Sequence, residues 1–389
     1  MIKISACAIA KNEEQNISRW LDSVRRFADE IIVADTGSTD RTREIAVRAG
    51  AKVVDFSWCD DFAAAKNFAI EQAGGDWVVM PDADEFFAPG SAENVRKILL
   101  AYHRQKDVLG FILPCTNIDA ERDNEVLSHD WRLRIFRNEP QLRYVGVVHE
   151  ALRNFAAGEE ARRFILLRDL QLIHTGYSAA GIRDKLRRNL KLLRQDIEAN
   201  GLQARHYGYL QDCYAGLEEY DKAVYYGRLA LRHRLESGLL GQTNSLICKY
   251  LNSIRLSGLG DYEHELAKAV REFPDLPEVW FLYGQHLLAQ MDGLEAEKAL
   301  REAARLFARP VTDVQELRNL TMGNIAPIIE GYLQTISRYR PYYQALAGGD
   351  YRKASTLAAR YLLAAYHRYP AGAEKIAYLF STDMGEDND

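Results

Sequence analysis

Cysteine is scarce in this chain, and its placement excludes two common uses of that residue. Five cysteines occur in 389 residues: Cys7, Cys59, Cys115, Cys213 and Cys248. Their number is odd, and none of them belongs to a Cys-x-x-Cys pair. This pattern argues against a disulfide framework and against a zinc ribbon, and it favours a reducing compartment.

Other absences narrow the class of protein further. No apolar run approaches the ~20 residues that cross a bilayer, and the N-terminus lacks the basic and apolar regions of a signal peptide. Basic and acidic residues nearly balance, at 50 and 55, so no overall field attracts nucleic acid. We therefore expect a cytoplasmic protein with no transmembrane segment and no nucleic-acid partner, ending in an acidic tail at residues 381–389.

Residues 1–180 alternate between strand and helix patterns, in a chain long enough for two domains. The apolar runs that predict strands are Ile2–Ala10, Glu30–Ala34, Ala51–Phe56 and Trp77–Met80. Helical spacing fills the intervals between them, as at Ile17, Trp20, Leu21 and Val24. A β-α-β-α-β-α-β order predicts an α/β domain with a mostly parallel sheet and right-handed crossovers.

Residues 181–380 predict an all-α domain, because strand patterns vanish and helical spacing dominates. Short glycine-containing turns recur at Gly216–Tyr220, Gly258–Tyr262, Gly293–Glu295 and Gly348–Tyr351. Their irregular spacing is near the ~34-residue class of helix-turn-helix repeats. Such repeats stack into a solenoid with a concave binding surface. The alternative is a helical domain without repeats.

The most informative motif is Asp82-Ala83-Asp84, which follows the apolar run Trp77–Met80. On an extended segment, positions i and i+2 point the same way. Two anions held together repel each other unless a proton or a cation lies between them. Oxygen ligands at a strand end suit Mg²⁺ or Mn²⁺, which completes its coordination with water and substrate phosphates. The alternative is an acidic turn after a strand, helped by Pro81.

Two further motifs follow predicted strands, at Ala10–Glu13 and Asp35–Asp40. Gly37 permits a tight turn, and residues 38–40 can cap the next helix. Asp35 is then a candidate acceptor for a nucleoside base or ribose, although an ordinary capped turn explains the rest of this motif. A P-loop is excluded because no Gly-Lys-Ser/Thr is present. Ligands of parallel sheets bind beyond the carboxyl ends of the strands, where all three motifs converge.

Three basic residues are candidates for binding phosphate. Lys66 lies near a predicted helix start, from which it can reach a diphosphate. Arg132 and Arg134 alternate along a predicted strand, opposite an apolar face formed by Trp131, Leu133 and Ile135. Guanidinium groups suit bidentate contacts with phosphate or carboxylate. The alternative for all three is a solvated, charged surface.

Two histidines end strand-like runs. Glu150 emerges beside His149 and is the better candidate for a general base. His174 is a candidate to complete the coordination sphere of a metal, and a structurally satisfied histidine is the alternative.

Taken together, residues 1 to about 180 resemble a family 2 glycosyltransferase with the GT-A fold. The resemblance is carried by four segments in order: Ala10–Glu14, Asp35–Thr42, Ala65–Asn67 and Asp82–Glu85. The segments Val148–Glu150 and Ile173–Tyr177, with helical repeats behind them, resemble a bacterial subgroup. That subgroup joins the transferase to tetratricopeptide-like repeats and includes the peptide S-glycosyltransferases of glycocin biosynthesis.

The resemblance implies a role for each matching position. Asp35 and Gly37 hold the nucleotide, and the loop from Ala10 through Asn12 and Glu13 lines the same pocket. Asp82 and Ala83 approach the sugar or ribose, Asp84 binds the Mg²⁺ or Mn²⁺ that bridges the diphosphate, and Glu150 deprotonates the acceptor. Lys66 stands where many relatives have arginine. The choice of base among Glu150, Asp130 and Glu85 stays open.

The implied reaction moves a sugar, with inversion, from a UDP- or GDP-linked donor to an acceptor hydroxyl or thiol. A peptide or protein acceptor is expected, and a saccharide or lipid-linked acceptor is the alternative. The helical repeats position the acceptor or form a homodimer interface. A repeat-based interaction protein with an inactive transferase domain is the rival from another class. A sugar nucleotidyltransferase is disfavoured because Ala8–Glu14 contains no glycine.

Overall fold

The computed structural model describes residues 2–155, 163–176, 182–237, 242–317, 319–323 and 325–368. The predicted acidic tail at 381–389 lies outside the described residues, as do Tyr177 and Gly181. Within the described part, no helix is both long and apolar enough to pass through a lipid bilayer.

The first seven elements confirm the predicted alternation of strands and helices. They are β1 (Ile4–Ala10), α1 (Ile17–Val24), β2 (Glu30–Asp35), α2 (Thr42–Arg48), β3 (Lys52–Asp55), α3 (Phe62–Glu71) and β4 (Trp77–Val79). The later elements of this region are β5 (Glu85–Phe87), α4 (Ala92–Tyr102), β6 (Val108–Asp119), β7 (Glu125–Arg137), β8 (Leu142–Val145), β9 (Ala151–Asn154), β10 (Arg163–Leu166) and β11 (Leu172–His174).

The main sheet has the order β3-β2-β1-β4-β7-β6-β11-β5, with β10 paired to β6. The four strands that open the chain are mutually parallel, as the alternation requires. β7 then runs antiparallel to both β4 and β6, and β8 and β9 form a separate pair. This mixed, mostly parallel sheet confirms the expected α/β class.

Side chains of β1 show how the sheet is buried on both faces. Ile4, Ala6 and Ala8 pack in a first hydrophobic cluster, with α1 and α4, whereas Cys7 packs in a second cluster with α3. Successive strand residues point to opposite faces, so helices cover both sides and the strand reads as a continuous apolar run. A ligand therefore cannot bind on either face of β1 without displacing a helix.

The predicted alternation along β7 is wrong at one position. Ile135 pairs with Phe111, but Leu133 pairs with Ile112, so Arg134 is an extra residue in the ladder. A bulge of this kind changes the face that following side chains occupy. Leu133 consequently packs against the second cluster and Ile135 in the first, and the two do not share an apolar face.

Helices dominate the rest of the described chain, as predicted, although the described residues among 310–323 are mostly non-helical and Leu320 forms an isolated β-bridge with His129. The helices are α5 (Ile182–Asn200), α6 (Ala204–Gly216), α7 (Tyr220–Arg232), α8 (Thr243–Ser257), α9 (Tyr262–Glu272), α10 (Pro277–Ala289), α11 (Gly293–Ala308), α12 (Ile325–Ala347) and α13 (Tyr351–Arg368). A short 3-10 turn lies at Val314–Glu316.

The chain packs as two compact units. The first comprises residues 1–269 and 309–325 and contains the sheet together with α5 to α8, and the second comprises residues 270–308 and those after 325. A third hydrophobic cluster in the first unit joins α5, α6 and α7 to Val148. The predicted domain bounds of 1–180 and 181–380 stay predictions.

Three of the four predicted glycine turns connect helices where expected, after α6, after α8 and after α12. The fourth prediction is wrong, because the turn lies at residues 290–292 and Gly293 already begins α11. Gly293 is instead required by packing, since a Cβ there would lie 2.5 Å from ring carbons of Tyr343. Gly284 of α10 similarly contacts Leu300 of α11. A Cβ added to Gly284 would lie 2.7 Å from Cγ of Leu300.

We expect Gly284→Ala to destabilise the protein by about 1–3 kcal/mol, because the added methyl overpacks the contact with Leu300. Gly331 of α12 is the matched control, since a Cβ there meets no atom within 4 Å. Gly331→Ala should instead stabilise its helix by about 0.5–1 kcal/mol. Urea unfolding followed by circular dichroism measures both, and equal effects of the two substitutions would contradict the packing described here.

Candidate active site

The predicted motifs lie at one edge of the sheet. β1, β2 and β4 run parallel, and Ala10 at the end of β1 is paired in register with Asp35 at the end of β2. β4 ends at Val79 and leads into the segment that carries Asp82 and Asp84. Since ligands of parallel sheets bind beyond the carboxyl ends of the strands, this edge is the candidate site.

Asp35 and Gly37 form one wall of the site. Asp35 is buried, and its Oδ1 accepts a hydrogen bond from the backbone N–H of Ser38 at 3.0 Å. Its Oδ2 lies 3.8 Å from Nη1 of Arg43. Gly37 has a left-handed backbone with φ of 101°, and a Cβ there would meet no atom within 4 Å. The carboxylate is therefore held firmly beside open space.

The loop after β1 is bonded to the loop after β2. Asn12 has a φ of 58°, and its Oδ1 accepts a hydrogen bond from the backbone N–H of Thr39 at 2.8 Å. The backbone N–H of Glu13 donates to Oγ1 of Thr42 at 2.7 Å. Burial raises the pKa of Glu13, and the nearby charge of Asp84 adds to this effect. The predicted nucleoside pocket and the acidic motif are thus neighbours.

Lys66 joins two carboxylates in the protein interior. Its side chain is 2% exposed, and Nζ lies 2.7 Å from Oδ1 of Asp82 and 2.5 Å from Oε1 of Glu150. Burial opposes the charge of Lys66, but the two carboxylates outweigh it and raise the pKa of Lys66. Burial also opposes the charge of Glu150, and Lys66 nevertheless lowers the pKa of Glu150. Lys66 and Glu150 are therefore both ionised at neutral pH.

Arg132 and Arg134 are both paired with carboxylates. Arg134 donates through Nη2 to Asp82 at 2.5 Å and through Nε to Glu85 at 2.7 Å. Arg132 donates to Glu85 and to both oxygens of Asp130. Burial alone would raise the pKa of Glu85, but the two guanidinium groups hold it well below its usual range. The arginines thus orient acidic side chains, and their predicted contact with phosphate stays a prediction.

Asp84 has a different environment from Asp82. Its Oδ2 lies 3.3 Å from Nε2 of His174, while Asp82 is bonded to Lys66 and Arg134. The expectation of an extended backbone here is wrong, because residues 83–84 form a turn. Ala83 packs in the first hydrophobic cluster, so its backbone is what remains to face a ligand.

The hydrogen bonds around His174 determine which of its two ring nitrogens carries the proton and which faces Asp84. The side-chain N–H groups of Asn117 donate to Ser128 at 2.8 Å and to Asp130 at 3.1 Å, so its Oδ1 faces His174. Nδ1 of His174 lies 2.8 Å from that oxygen and must therefore be the donor. This arrangement directs Nε2 towards Asp84, in the manner by which outer hydrogen bonds orient metal-binding histidines.

Gly176 closes this pair from one side. A Cβ at Gly176 would overlap Oδ2 of Asp84 and lie 2.5 Å from Nε2 of His174. The backbone N–H of Thr175 also donates to the carbonyl oxygen of Asp84 at 3.1 Å. Only a glycine at this position leaves both side chains in place.

A divalent cation fits the donor set of Asp84 and His174. A carboxylate oxygen and an imidazole nitrogen are both ligands of Mn²⁺. In the part of the chain that the structure describes, no three histidine, cysteine or acidic side chains are grouped as a metal site. A cation here would therefore take its remaining ligands from water and from phosphate oxygens, as Mg²⁺ usually does.

Known proteins are similar in sequence to the part of the chain that carries these motifs. The model of the glycosyl transferase family 2 matches residues 5–160. A TPR repeat-containing protein of Synechococcus elongatus is 39% identical over 150 residues, which cover 39% of this chain and 35% of the relative. The SPbeta prophage-derived glycosyltransferase SunS of Bacillus subtilis is 32% identical over 196 residues, covering 49% of this chain and 44% of the relative.

Residues 5–160 form a family 2 glycosyltransferase domain. The resemblance inferred from the sequence is thereby confirmed. The chain spans 35% and 44% of the lengths of these two curated relatives. Among solved structures, TarS of S. aureus in complex with UDP has a TM-score of 0.34 at 14% identity, covering 72% of this chain and 92% of that one.

Sequence reasoning gave no role to three residues that contact the predicted site residues. Asn117 and Gly176 are described above, and the third is Tyr144. The Tyr144 hydroxyl is buried without a hydrogen-bond partner in the described part of the chain, and the ring lies 5.1 Å from Nζ of Lys66. Two of them had a signal in the sequence: Asn117 is polar within the largely apolar strand β6, and Gly176 lies in the segment Ile173–Tyr177 that carries part of the resemblance.

We expect Glu85→Gln to destabilise the protein by about 3–5 kcal/mol, because it removes the buried carboxylate that Arg132 and Arg134 share and leaves each guanidinium group with one counter-charge in place of two. Glu44→Gln is the matched control, since the pair of Glu44 with Arg48 is exposed and worth at most about 0.5 kcal/mol. The free energy of unfolding in urea measures both. A loss at Glu85 no larger than that at Glu44 would contradict this role.

Proposed function

We propose that this chain is a metal-dependent, inverting glycosyltransferase that moves a sugar from a nucleoside diphosphate sugar to a peptide or protein side chain. The observation that carries the proposal is the pair of Asp84 and His174 at the strand ends of a family 2 domain. Asp82 is already neutralised by cations, so Asp84 is the aspartate of the motif left to bind a metal.

The donor would lie across the three strand ends. Asp35, fixed by the backbone of Ser38, accepts hydrogen bonds from the nucleoside, and Gly37 leaves room for it. The diphosphate would lie beside Asp84 and His174, which would hold a divalent cation that would stabilise negative charge on the leaving oxygens. Asp82, held on both oxygens by Lys66 and Arg134, is fixed in position towards the sugar.

Glu150 is the base that the structure favours. Glu85 has no exposed surface and is bonded to two arginines, while both oxygens of Asp130 are bonded to Arg132. Lys66 keeps Glu150 ionised, as a base must be before the reaction. Glu150 then takes the proton of the acceptor hydroxyl or thiol while the acceptor atom bonds to the anomeric carbon. The bond to the diphosphate breaks on the opposite face, so a single displacement inverts that centre.

A peptide or protein acceptor is supported by the helices that follow the domain. Tetratricopeptide-like helix pairs stack into concave surfaces suited to extended chains. Within their units, α6 packs on α7 and α10 packs on α11, and each pair is joined by a short turn. A homodimer through the helices stays a prediction.

Hydrolysis of UDP- and GDP-linked sugars tests the donor half of this proposal. We expect slow release of nucleotide from one donor in Mn²⁺ or Mg²⁺ and none in EDTA, because the diphosphate needs the cation on Asp84. Asp84→Asn should lower the rate by about 100-fold, from the weakened metal affinity. Asp22→Asn, at an exposed pair with Arg25, is the control and should change nothing. The proposal fails if no donor binds or turns over and Asp84→Asn has no effect.

Glu150→Gln tests the assignment of the base. We expect donor hydrolysis to fall by about 10²–10⁴-fold, the usual contribution of general base catalysis, with the dissociation constant for UDP or GDP unchanged. Glu125→Gln, at an exposed end of β7, serves as control. Titration calorimetry separates binding from turnover, and an unchanged rate in Glu150→Gln would move the role of base to another residue.

A further inference from the structure

Helix α5 lies against the catalytic edge, although it belongs to the helical part of the sequence. Leu190 and Leu193 of α5 share a hydrophobic cluster with Val148, two residues before the proposed base, and Phe62 packs against the same cluster. The guanidinium of Arg188 lies 5.1 Å from the centre of the Phe62 ring. The position of α5 beside the site is thus set by apolar packing.

Lys185 of α5 is near the proposed metal ligands. Its Nζ donates to the carbonyl oxygen of Gly176 at 2.9 Å, and Gly176 itself is in contact with Asp84 and His174. The charge of Lys185 acts on both Asp84 and Glu13, where it favours the ionised carboxylates. These contacts place an ammonium group beside the metal-binding end of the site.

Three other basic residues of α5 are already paired with carboxylates, while Arg188 is stacked on Phe62 and bonded to the side-chain oxygen of Asn189. Arg183 pairs with Glu218 at 2.9 Å, Arg187 with Asp184 at 3.2 Å, and Lys191 with Asp60 at 3.5 Å. For Lys185, the described residues offer a backbone carbonyl as its hydrogen-bond partner and no carboxylate within ion-pair distance. Its charge is consequently available to an anion that binds next to Asp84.

We propose that Lys185 binds the diphosphate of the donor, so that α5 completes the active site of the glycosyltransferase domain. This inference rests on the proposed function, because it needs a donor whose diphosphate lies at Asp84. An ammonium is a compact charge with three donors, which suits phosphate oxygens. As the bond to the sugar breaks, charge develops on these oxygens, and a fixed cation beside them stabilises it.

Binding of nucleoside monophosphates and diphosphates tests this proposal. Titration calorimetry in Mn²⁺ would compare UDP with UMP, and GDP with GMP, on the full chain and on Lys185→Gln. We expect Lys185→Gln to weaken binding of the diphosphate by about tenfold or more, the range for loss of a hydrogen bond to a charged group. The contribution of the second phosphate, given by the ratio of the two dissociation constants, should shrink accordingly. Lys185→Arg should restore part of it.

Arg187→Gln is the matched control, because Arg187 is two residues away on α5 and already paired with Asp184. It should leave both dissociation constants unchanged. An equal loss of monophosphate and diphosphate binding in Lys185→Gln, or a loss that accompanies a lower unfolding temperature, would show that Lys185 only holds α5 in place. A wild-type chain that binds no nucleotide would refute the proposed function itself, whereas normal diphosphate binding by Lys185→Gln would refute this inference alone.

Discussion

The site depends on a buried network of ion pairs behind the strand ends. Its cations and anions alternate, and every charge except those at the two ends has two partners of opposite sign. The order is Glu150, Lys66, Asp82, Arg134, Glu85, Arg132 and Asp130. In a low-dielectric interior, an unpaired charge is costly, and a half-satisfied network is worse than none. The network therefore fixes the geometry of the catalytic edge before any substrate arrives.

This network also separates the two aspartates of the motif. Asp82 is held by Lys66 and Arg134, whereas the side-chain partner of the Asp84 carboxylate among the described residues is the imidazole of His174. A divalent cation competes best for a carboxylate that is not already neutralised by stronger cations. The close approach of Gly176 keeps the Asp84 carboxylate and the His174 imidazole together. Asp84 is therefore suited to binding a metal, and Asp82 to orienting the donor.

Much of the fold follows from local patterns, and the site follows only in part. The parallel strands β1 to β4 were predictable because each is a short apolar run bounded by turns, and their carboxyl ends must then meet at one edge. The bulge at Arg134 was not, because it exists only in the pairing of β7 with a distant strand. Gly293 likewise resembles a turn residue locally, yet its place in α11 is decided by the ring of Tyr343.

By itself, the sequence identified the acidic groups of the candidate site, each of which follows a strand: the pair Asp82 and Asp84, the hydrogen-bond acceptor Asp35, and Glu150. Only the tertiary structure decided how those groups share their charges. The pairing of Lys66 with Glu150, and of Arg132 with Glu85, joins residues far apart in the chain. The reason is physical, since local patterns record which side chains a segment carries, whereas the partner of a buried charge is chosen by the packing of strands and helices around it.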